Sequence, residues 1–429
     1  MSLIGVISLG CAKNQVDTER MLGYLAAAGH TFTNDPAEAE VLIVNTCGFI
    51  EPAKQESINT ILEMAKYKKH GRCKTLVATG CLTKRYMAEL KEALPEVDIL
   101  LGFDRYAELP SLLAGDARPF CAPDAGRILT TPAYSAYLRV GDGCNNRCTY
   151  CAIPLIRGAL RSTPMESLVD EAKSLADRGV TELTVIAQDT SGYGRDLYGK
   201  PMLLPLLDAL SRIDALHWIR VLYTYPDTVT PELIDFFASN PKVVKYLDMP
   251  LQHINDDILR RMNRRGSRAH IERVLDHLKT SGADFTLRTT MMVGFPGETD
   301  AQFQELLDFL RAYPFDRVGA FAYSPEEGTE GAAMAGQIPE DVKAARLDAL
   351  MRAQQPISRE RNEARVGQTV EVLIEGTDGD GLFGRSQAEA PDVDGQIRLP
   401  YRPRVKAGQY LPVRLTAAEE YDMIGDFAE

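Results

Sequence analysis

The sequence lacks a long hydrophobic run, and it has no cysteine after Cys151. No apolar stretch approaches the roughly 18 to 20 residues that a membrane-spanning helix needs, so we expect no membrane partner. The first residues, MSLIGVISLGC, place no Lys or Arg before a short apolar stretch, which argues against a secretory signal. We therefore expect a cytoplasmic protein.

The composition excludes several further classes. With 45% hydrophobic and 25% charged residues, the chain is neither disordered, collagen-like nor a coiled coil. Its 429 residues correspond to about three domains of ordinary size. It carries 48 Lys and Arg against 60 Asp and Glu, a net charge of -12. We expect a monomer.

The cysteines that are present need a chemical reason. In a reducing compartment, clustered thiols are more often metal ligands or catalysts than disulfide partners. The chain has eight of them, namely Cys11, Cys47, Cys73, Cys81, Cys121, Cys144, Cys148 and Cys151.

The first part of the sequence alternates continuous apolar strands with amphipathic helices. The strands read LIGVISLG, VLIVN, TLVATG and DILLG, and helices are predicted at about 15–28, 52–68, 84–93 and 106–113. This α/β pattern is typical of a doubly wound parallel sheet.

Three cysteines occupy equivalent places in this pattern. Cys11, Cys47 and Cys81 each follow a strand and precede a helix, at intervals of 36 and 34 residues. We expect them to meet at the carboxyl edge of the sheet, where open α/β sheets bind ligands. A coincidence of buried thiols is the alternative. Cys73 precedes its strand, so we expect it at the opposite edge in a structural role.

The middle of the chain predicts an incomplete (β/α) barrel. Residues 115–133, which include Cys121, have the composition of a linker. Six strand–helix units follow, too few for a closed eight-fold barrel. Thr163 to Glu166 reads as a capping box. A long helix is predicted from Pro339 to Val366, with Pro356 interrupting it.

The end of the chain has a different pattern. From about Gly367, the runs TVEVLIEG, LFGRSQAE, GQIRL and YLPVRLTA are separated by Gly and Asp. They predict a small C-terminal β-barrel.

The strongest local motif is Cys144-Asn-Asn-Arg-Cys148-Thr-Tyr-Cys151, directly after the first barrel strand. Three thiolates can bind three irons of a cubane cluster and leave the fourth iron open. Structural zinc is the alternative, but closed zinc sites take four Cys or His ligands, and no histidine lies between His70 and His217.

This CxxxCxxC spacing, with Tyr150 before the last cysteine, resembles the radical S-adenosylmethionine (SAM) superfamily. The resemblance implies that SAM binds the open iron and is cleaved by one electron to a 5'-deoxyadenosyl radical, which abstracts hydrogen from an unactivated carbon. The segments QDT, at Gln188, and GFPGET, with Gly294 and Glu298, resemble SAM-contacting segments. The candidate SAM-binding residues are thus Tyr150, Gln188, Gly294 and Glu298.

Longer stretches resemble the methylthiotransferases within that superfamily. They are SLGCAKN, VDTERM, NTCGFI, TGC, MPLQH, VGFPGET and YSPEEGT. The resemblance implies an N-terminal methylthiotransferase domain at 1–118, a radical SAM core at 133–362 and a TRAM domain at 363–429. It also implies a second 4Fe-4S cluster on Cys11, Cys47 and Cys81, beside the first on Cys144, Cys148 and Cys151.

Three further residues have two open interpretations. His253 is either a pocket residue or a hydrogen-bonded structural histidine. Arg157 and Arg161 face either the substrate or solvent.

Two segments, NTCGFIEPAKQES and CAIPLIRG, resemble the RimO branch of the family, which modifies a ribosomal protein. This implies that a methylthio group is added to the β-carbon of an aspartate in the twelfth small-subunit protein. One SAM methylates sulfur at the N-terminal cluster, a second supplies the radical, and a low-potential donor supplies electrons. Both cysteine trios must then face one cavity.

The alternatives are a tRNA adenosine methylthiotransferase and a non-enzymatic iron–sulfur protein. Residues 363–429 contain 13 acidic and 7 basic residues. Because phosphate neutralisation dominates nucleic-acid affinity, this acidic domain favours a basic protein substrate over tRNA.

Overall fold

The computed structural model describes residues 1–116, 126–379 and 381–428. Cys121 and much of the predicted linker lie outside these ranges. Within them, no helix is both long and apolar enough to cross a bilayer.

The N-terminal part is a five-stranded parallel sheet with the order β2-β1-β3-β4-β5. Its central strand is buried along its whole length, as a continuous apolar run predicts. The strands are β1 (Leu3–Ser8), β2 (Thr31–Thr33), β3 (Val41–Thr46), β4 (Thr75–Gly80) and β5 (Ile99–Gly102). The sequence pattern missed β2, since three residues carry too little periodicity.

Helices cover this sheet close to the predicted places. They are α1 (Ala12–Ala27), α2 (Glu51–Ala65), α3 (Tyr67–His70), α4 (Cys81–Arg85), α5 (Met87–Ala93), a 3-10 helix (Phe103–Glu108) and α6 (Leu109–Ala114). Cys73 is buried at the far edge and its thiol donates to Thr75 O at 3.4 Å, the structural role expected of it.

Six parallel strands form the central part as an open arc. They are arranged as two three-stranded sheets, joined by an isolated parallel bridge between Ile219 and Val243. The first contains β6 (Ser135–Arg139), β9 (Glu182–Ile186) and β10 (Trp218–Val221), with the short pair β7 (Gly141–Asp142) and β8 (Arg161–Ser162) beside it; the second contains β11 (Tyr246–Asp248), β12 (Thr286–Val293) and β13 (Arg317–Ala322). The predicted incomplete barrel is confirmed.

Helices alternate with these strands and bury their apolar faces on one large core. They are α7 (Ile153–Arg157), α8 (Met165–Asp177), α9 (Arg195–Tyr198), α10 (Leu203–Ser211), a 3-10 helix (Pro226–Thr228), α11 (Pro231–Ser239), α12 (Asp256–Arg261), α13 (Arg268–Thr280), α14 (Asp300–Ala312), α15 (Glu330–Ala333) and α16 (Glu340–Glu363).

Two local predictions are wrong. The Thr163 capping box does not form: Pro164 occupies the N-cap of α8 without a side-chain cap, whereas Thr299 caps α14 in a box with Gln302. Pro356 lies inside α16 without interrupting it. Side chains on either side of the proline tie the helix to the barrel, since Gln354 donates to Phe315 O and Ser358 donates to Asp316 O.

The C-terminal part is a closed five-stranded barrel with the order β14-β15-β16-β18-β17. Its strands are β14 (Thr369–Asp378), β15 (Gly381–Arg385), β16 (Ile397–Pro400), β17 (Tyr410–Ala418) and β18 (Met423–Phe427). The first four correspond to the predicted runs, and β18 completes the closure.

Buried ion pairs hold this small barrel against the central arc. Arg385 Nη2 lies 2.7 Å from Glu182 Oε2 on β9, and Arg220 on β10 contacts the same carboxylate. Tyr137 and Tyr246 donate to Asp392 and Asp394, at 2.7 and 2.6 Å. The small barrel therefore contributes residues to the space between the other two parts.

Candidate active site

A cavity of about 440 Å³ lies between the N-terminal sheet and the central arc. Its wall contains six of the eight cysteines, three from each of these two parts: Cys11, Cys47, Cys81, Cys144, Cys148 and Cys151. The expectation that both trios face one cavity is confirmed. Cys73, for which a structural role is predicted, does not contribute to this wall as the described residues form it.

The N-terminal trio lies at the carboxyl edge of the sheet, as predicted. Cys11 follows β1 at the N-cap of α1, Cys47 follows β3, and Cys81 opens α4 directly after β4. These three strands are neighbours in the sheet. The loops approach closely, because a Cβ atom on Gly10 would stand 3.0 Å from the Cys47 Cβ.

Asn14 fixes the spacing of these loops. Its Nδ2 donates to Leu9 O at 3.1 Å and to Thr46 O at 2.9 Å, which ties the ends of β1 and β3 together. Its Oδ1 accepts from the Cys81 thiol at 3.3 Å. One buried amide thus connects all three loops that carry the trio.

The second trio lies on the loop between β7 and α7. Arg147, inside this loop, adopts the left-handed backbone conformation with φ 52°. The backbone N–H of Asn146 points at Cys144 Sγ at 3.5 Å, and Cys151 N donates to Cys148 O at 3.0 Å. All three cysteines of this loop belong to the cavity wall.

Arg157 connects the two domains at the cavity wall. Its Nη2 lies 2.7 Å from Asp17 Oδ2 on α1 and 3.3 Å from the Cys81 sulfur, and its Nη1 lies 3.0 Å from Asp142 Oδ1 on β7. The side chain is 1% exposed. The solvent interpretation is wrong for Arg157, whose side chain faces a buried network of charges, and it holds for Arg161, which is exposed.

The four candidate SAM-binding residues separate into two pairs. Tyr150 and Gln188 belong to the cavity wall, where Arg264 donates to the Tyr150 hydroxyl at 3.0 Å. Gly294 and Glu298 are outside that lining, and a buried Glu298 carboxylate accepts from the Gly294 N–H. The role of all four as SAM contacts stays a prediction.

Polar atoms without partners face the cavity. Gln188 Oε1 and Gln252 Oε1 are buried and accept no hydrogen bond among the described residues. Buried amide oxygens normally have a donor, and the amino group of SAM is a donor of this kind. The residues present therefore fit SAM on the barrel side of the cavity.

His253 is buried beneath the turn that follows β11. Its Nδ1 accepts from Asn255 N at 3.0 Å, and its Nε2 lies 3.7 Å from Glu298 Oε1. It is absent from the cavity lining as described, so the structural interpretation holds.

Burial controls the protonation of the site. Burial raises the pKa of Cys81 and Cys151 to about 12 and that of Cys144 to about 11. Arg157 opposes the shift at Cys81. Burial also lowers the pKa of Lys13 to about 8, although the neighbouring Cys11 opposes this shift. Thiolate ligands must lose these protons, so cluster binding would release protons.

In the described ranges, no three His, Cys, Asp or Glu side chains are arranged to hold a single metal ion. Cubane ligands bind different irons and stand farther apart than the ligands of one ion. The fit of the clusters therefore rests on the two trios in the cavity wall.

A second cavity, of about 800 Å³, adjoins the first and shares Gly10, Cys11 and Tyr223 with it. Pro391, Asp392 and Val393 of the small barrel form part of its wall. Sequence reasoning missed Tyr223, Tyr225 and Arg264, since nothing in their local pattern marks them. Lys13 could have been identified from the sequence, because it stands two positions after Cys11 and lies in the first turn of the helix that Cys11 precedes.

Three family descriptions match the chain in order. Residues 4–102 match the Uncharacterized protein family UPF0004, 138–310 the Radical SAM superfamily and 366–427 the TRAM domain. Among solved structures, a radical SAM methyltransferase, TsrM of Kitasatospora setae, has a TM-score of 0.55 at 14% identity over 77% of this chain and 76% of that chain. This likeness shows the fold alone.

Curated relatives match along nearly the whole chain. Ribosomal protein uS12 methylthiotransferase RimO of Symbiobacterium thermophilum is 47% identical, over 99% of this chain and 91% of the relative. The protein of the same name from Clostridium botulinum is 46% identical, over 98% and 97%. With both cysteine trios, the open barrel and the TRAM domain in place, the chain belongs to the RimO family of radical SAM methylthiotransferases.

Proposed function

We propose that this protein transfers a methylthio group to the β-carbon of an aspartate in ribosomal protein uS12. The observation that carries the proposal is the cavity of about 440 Å³ whose wall contains both cysteine trios. Sulfur handled at one trio and a radical produced at the other must meet on one substrate carbon, and a shared cavity permits this.

We further propose that Cys144, Cys148 and Cys151 hold the SAM-binding 4Fe-4S cluster. A second 4Fe-4S cluster would be held by the remaining trio in the cavity wall, Cys11, Cys47 and Cys81. When bound, these groups supply the radical that removes hydrogen and the sulfur that receives a methyl group. Tyr150 and Gln188, both in the wall, are the proposed SAM contacts that this geometry supports best.

The chain's own residues orient and enclose the reaction. Asn14 and Arg157 hold the Cys81 loop, while the Tyr225 hydroxyl and Arg264 Nη1 each lie 4.0 Å from Cys148 Sγ. Apolar side chains exclude water between the trios, which protects a radical from side reactions. They are Phe49, Ile50, Ala53, Ile153, Pro154 and Ile156.

The domain limits belong to the same proposal. We place the N-terminal domain at 1–118, the radical SAM core at 133–362 and the TRAM domain at 363–429. The end of α16 at Glu363 and the TRAM match at 366–427 support the last limit.

Charge supports a protein substrate over tRNA. Relatives are named for action on uS12, and the C-terminal domain has 13 acidic and 7 basic residues. Two of those basic residues, Arg365 and Arg385, are engaged in buried ion pairs with Glu389 and Glu182. They are therefore not available to neutralise phosphate.

The proposal is tested with the cluster-loaded protein, SAM and a chemical reductant. We expect purified uS12 to gain the mass of one methylthio group at a single aspartate, and tRNA to remain unchanged. Methylthio-tRNA with unmodified uS12 would overturn the substrate assignment. Absence of 5'-deoxyadenosine after reduction would overturn the enzyme assignment.

Three matched cysteine variants separate the two sites. Cys148→Ala should abolish SAM cleavage and keep the iron signal of the other trio. Cys47→Ala should lose methylthio transfer while SAM cleavage continues. Cys73→Ala removes a buried thiol outside the cavity wall and should keep both activities. Loss of all iron in Cys148→Ala would contradict two separate clusters.

A further inference from the structure

Lys13 is a buried cation with an unusual environment. It lies in the first turn of α1, is 7% exposed, and contributes to the wall of the cavity that contains both trios. Its Nζ stands 2.9 Å from the centre of the Tyr223 ring. Within the described ranges, this ammonium has neither a hydrogen-bond acceptor nor a carboxylate at ion-pair distance.

An ammonium without a counter-ion is costly to bury, so its retention needs a reason. Other cations in the same wall are already engaged or exposed. Arg157 binds Asp17 and Asp142, and Arg264 donates to the Tyr150 hydroxyl and to the Pro250 carbonyl. Arg147, on the loop of the second trio, is exposed. Lys13 therefore offers the cavity a buried positive charge that forms no direct ion pair with a described side chain, since Asp248 and Asp142 interact with it only at longer range.

The thiolates of the N-terminal trio are one candidate anion. Arg157, however, already donates to the Cys81 sulfur at 3.3 Å, so this trio has a cation of its own. Lys13 instead lies on Tyr223, which faces both this cavity and the larger one bordered by the small barrel. The positive charge of Lys13 therefore lies close to the place where the two cavities adjoin.

A carboxylate brought into this enclosed space loses its water and requires a cation. In the proposed function, the modified β-carbon of the substrate is bonded directly to a carboxyl carbon. A cation that binds this carboxylate beside Cys11 therefore also determines where the β-carbon stands.

We propose that Lys13 binds the carboxylate of the target aspartate and so places its β-carbon against the Cys11, Cys47 and Cys81 trio. This inference rests on the proposed function. Lys13 is then a substrate-binding residue, and it distinguishes an aspartate from an uncharged side chain.

The test measures binding as well as activity. Cluster-loaded protein with SAM is titrated with uS12 and with uS12 whose target aspartate is replaced by asparagine. A charge-assisted hydrogen bond contributes about 1.5–3 kcal/mol, so the parent should bind the aspartate form roughly 10- to 100-fold more tightly. Lys13→Met should lose this preference, and Lys13→Arg should keep part of it. Lys74→Met, which removes a lysine whose side chain is 76% exposed, should retain it in full.

Each other outcome overturns the inference. If the parent protein binds both uS12 forms equally, no cation in the site binds the aspartate carboxylate. The inference then fails before any Lys13 variant is tested. If Lys13→Met keeps the preference but weakens SAM binding, the carboxylate bound is that of SAM. If it keeps the preference but alters the spectrum or potential of the N-terminal cluster, Lys13 is a counter-ion to that cluster. The proposed function fails separately, by an absence of methylthio transfer to uS12 in the parent.

Discussion

Arg157 is the residue whose loss should cost the apoprotein most stability near the site. Its guanidinium neutralises Asp17 and Asp142, which come from different domains, and it is almost fully buried. Replacing it by methionine preserves much of the side-chain volume but leaves the Asp142 carboxylate without its ion-pair partner and Asp17 with Arg139 alone. Breaking a buried pair in this way costs about 3–5 kcal/mol. We expect Arg157→Met to lower the free energy of unfolding of the apoprotein by that amount, measured by urea denaturation.

Arg161→Met is the matched control for this change. Arg161 is exposed on β8, four positions after Arg157 in the chain, and its replacement removes the same charge. Exposed substitutions of this kind change stability by no more than about 0.5 kcal/mol. Equal unfolding curves for the two variants would show that the Arg157 network does not stabilise the domain contact.

At the residue scale, the sequence identified ligand candidates better than their surroundings. The cysteines could be placed because each stands at a fixed position relative to its own strand. Arg157 could not, because its partner Asp17 is 140 residues away and is brought near only by contact between two domains. Lys13 lies beside a recognised cysteine, but its burial likewise depends on Tyr223, from another domain.

At the element scale, the turn from β4 to α4 determines where Cys81 lies. Gly80 has φ +103°, and a Cβ atom there would stand 2.4 Å from Thr46 O and 2.6 Å from Thr46 N. The neighbouring strand would have to move. We expect Gly80→Ala to lower the free energy of unfolding by about 2–4 kcal/mol, combining backbone strain with overpacking, and to reduce the iron bound by the N-terminal trio.

Gly115→Ala is a control for a substitution at a positive φ that brings no steric clash with a neighbouring strand. Gly115 also has a positive φ, of +65°, but a Cβ atom there meets no atom of the described residues within 4 Å. It should cost only the left-handed backbone strain of about 1–2 kcal/mol and keep the full iron content. Iron loss in Gly115→Ala equal to that in Gly80→Ala would mean that the close approach to Thr46 is unimportant.

Helices and strands with a clear hydrophobic pattern could be predicted from the sequence. The predictions that failed did so for physical reasons. The buried strands of the sheet are recognisable as continuous apolar runs, whereas β2 has only three residues, too few to show a hydrophobic pattern. The capping box at Thr163 is defeated by the following proline, which itself takes the N-cap. Pro356 does not break α16, because tertiary hydrogen bonds from Gln354 and Ser358 hold both halves.

At the scale of the whole molecule, the small barrel is held by charge. Glu182 on β9 is fully buried between Arg220 and Arg385, and Glu389 is buried between Arg317 and Arg365. A count of charged residues in the sequence would assign these four arginines and two glutamates to the surface. Their actual role depends on the docking of two domains, which no local pattern encodes.

The pairing of Glu182 gives the domain contact a dependence on pH. Burial alone raises the pKa of Glu182, but Arg385 and Arg220 outweigh it and bring the pKa from 4.5 to about 2. The ionised form is thus favoured in the folded protein. The stabilisation is complete above the unfolded value of 4.5 and is lost as the pH falls towards about 2.

Glu182→Gln should therefore differ from the parent by an amount that varies with pH. The parent should be more stable by a few kcal/mol at neutral pH, and the gap should close between pH 4.5 and about 2, because protonation makes the parent side chain neutral too. Urea denaturation at a series of pH values measures the gap. Glu419→Gln removes an exposed carboxylate from the same small domain and should show no gap at any pH. A gap for Glu182→Gln that stays constant down to pH 2 would mean that its shape, and not its charge, joins the small barrel to the arc.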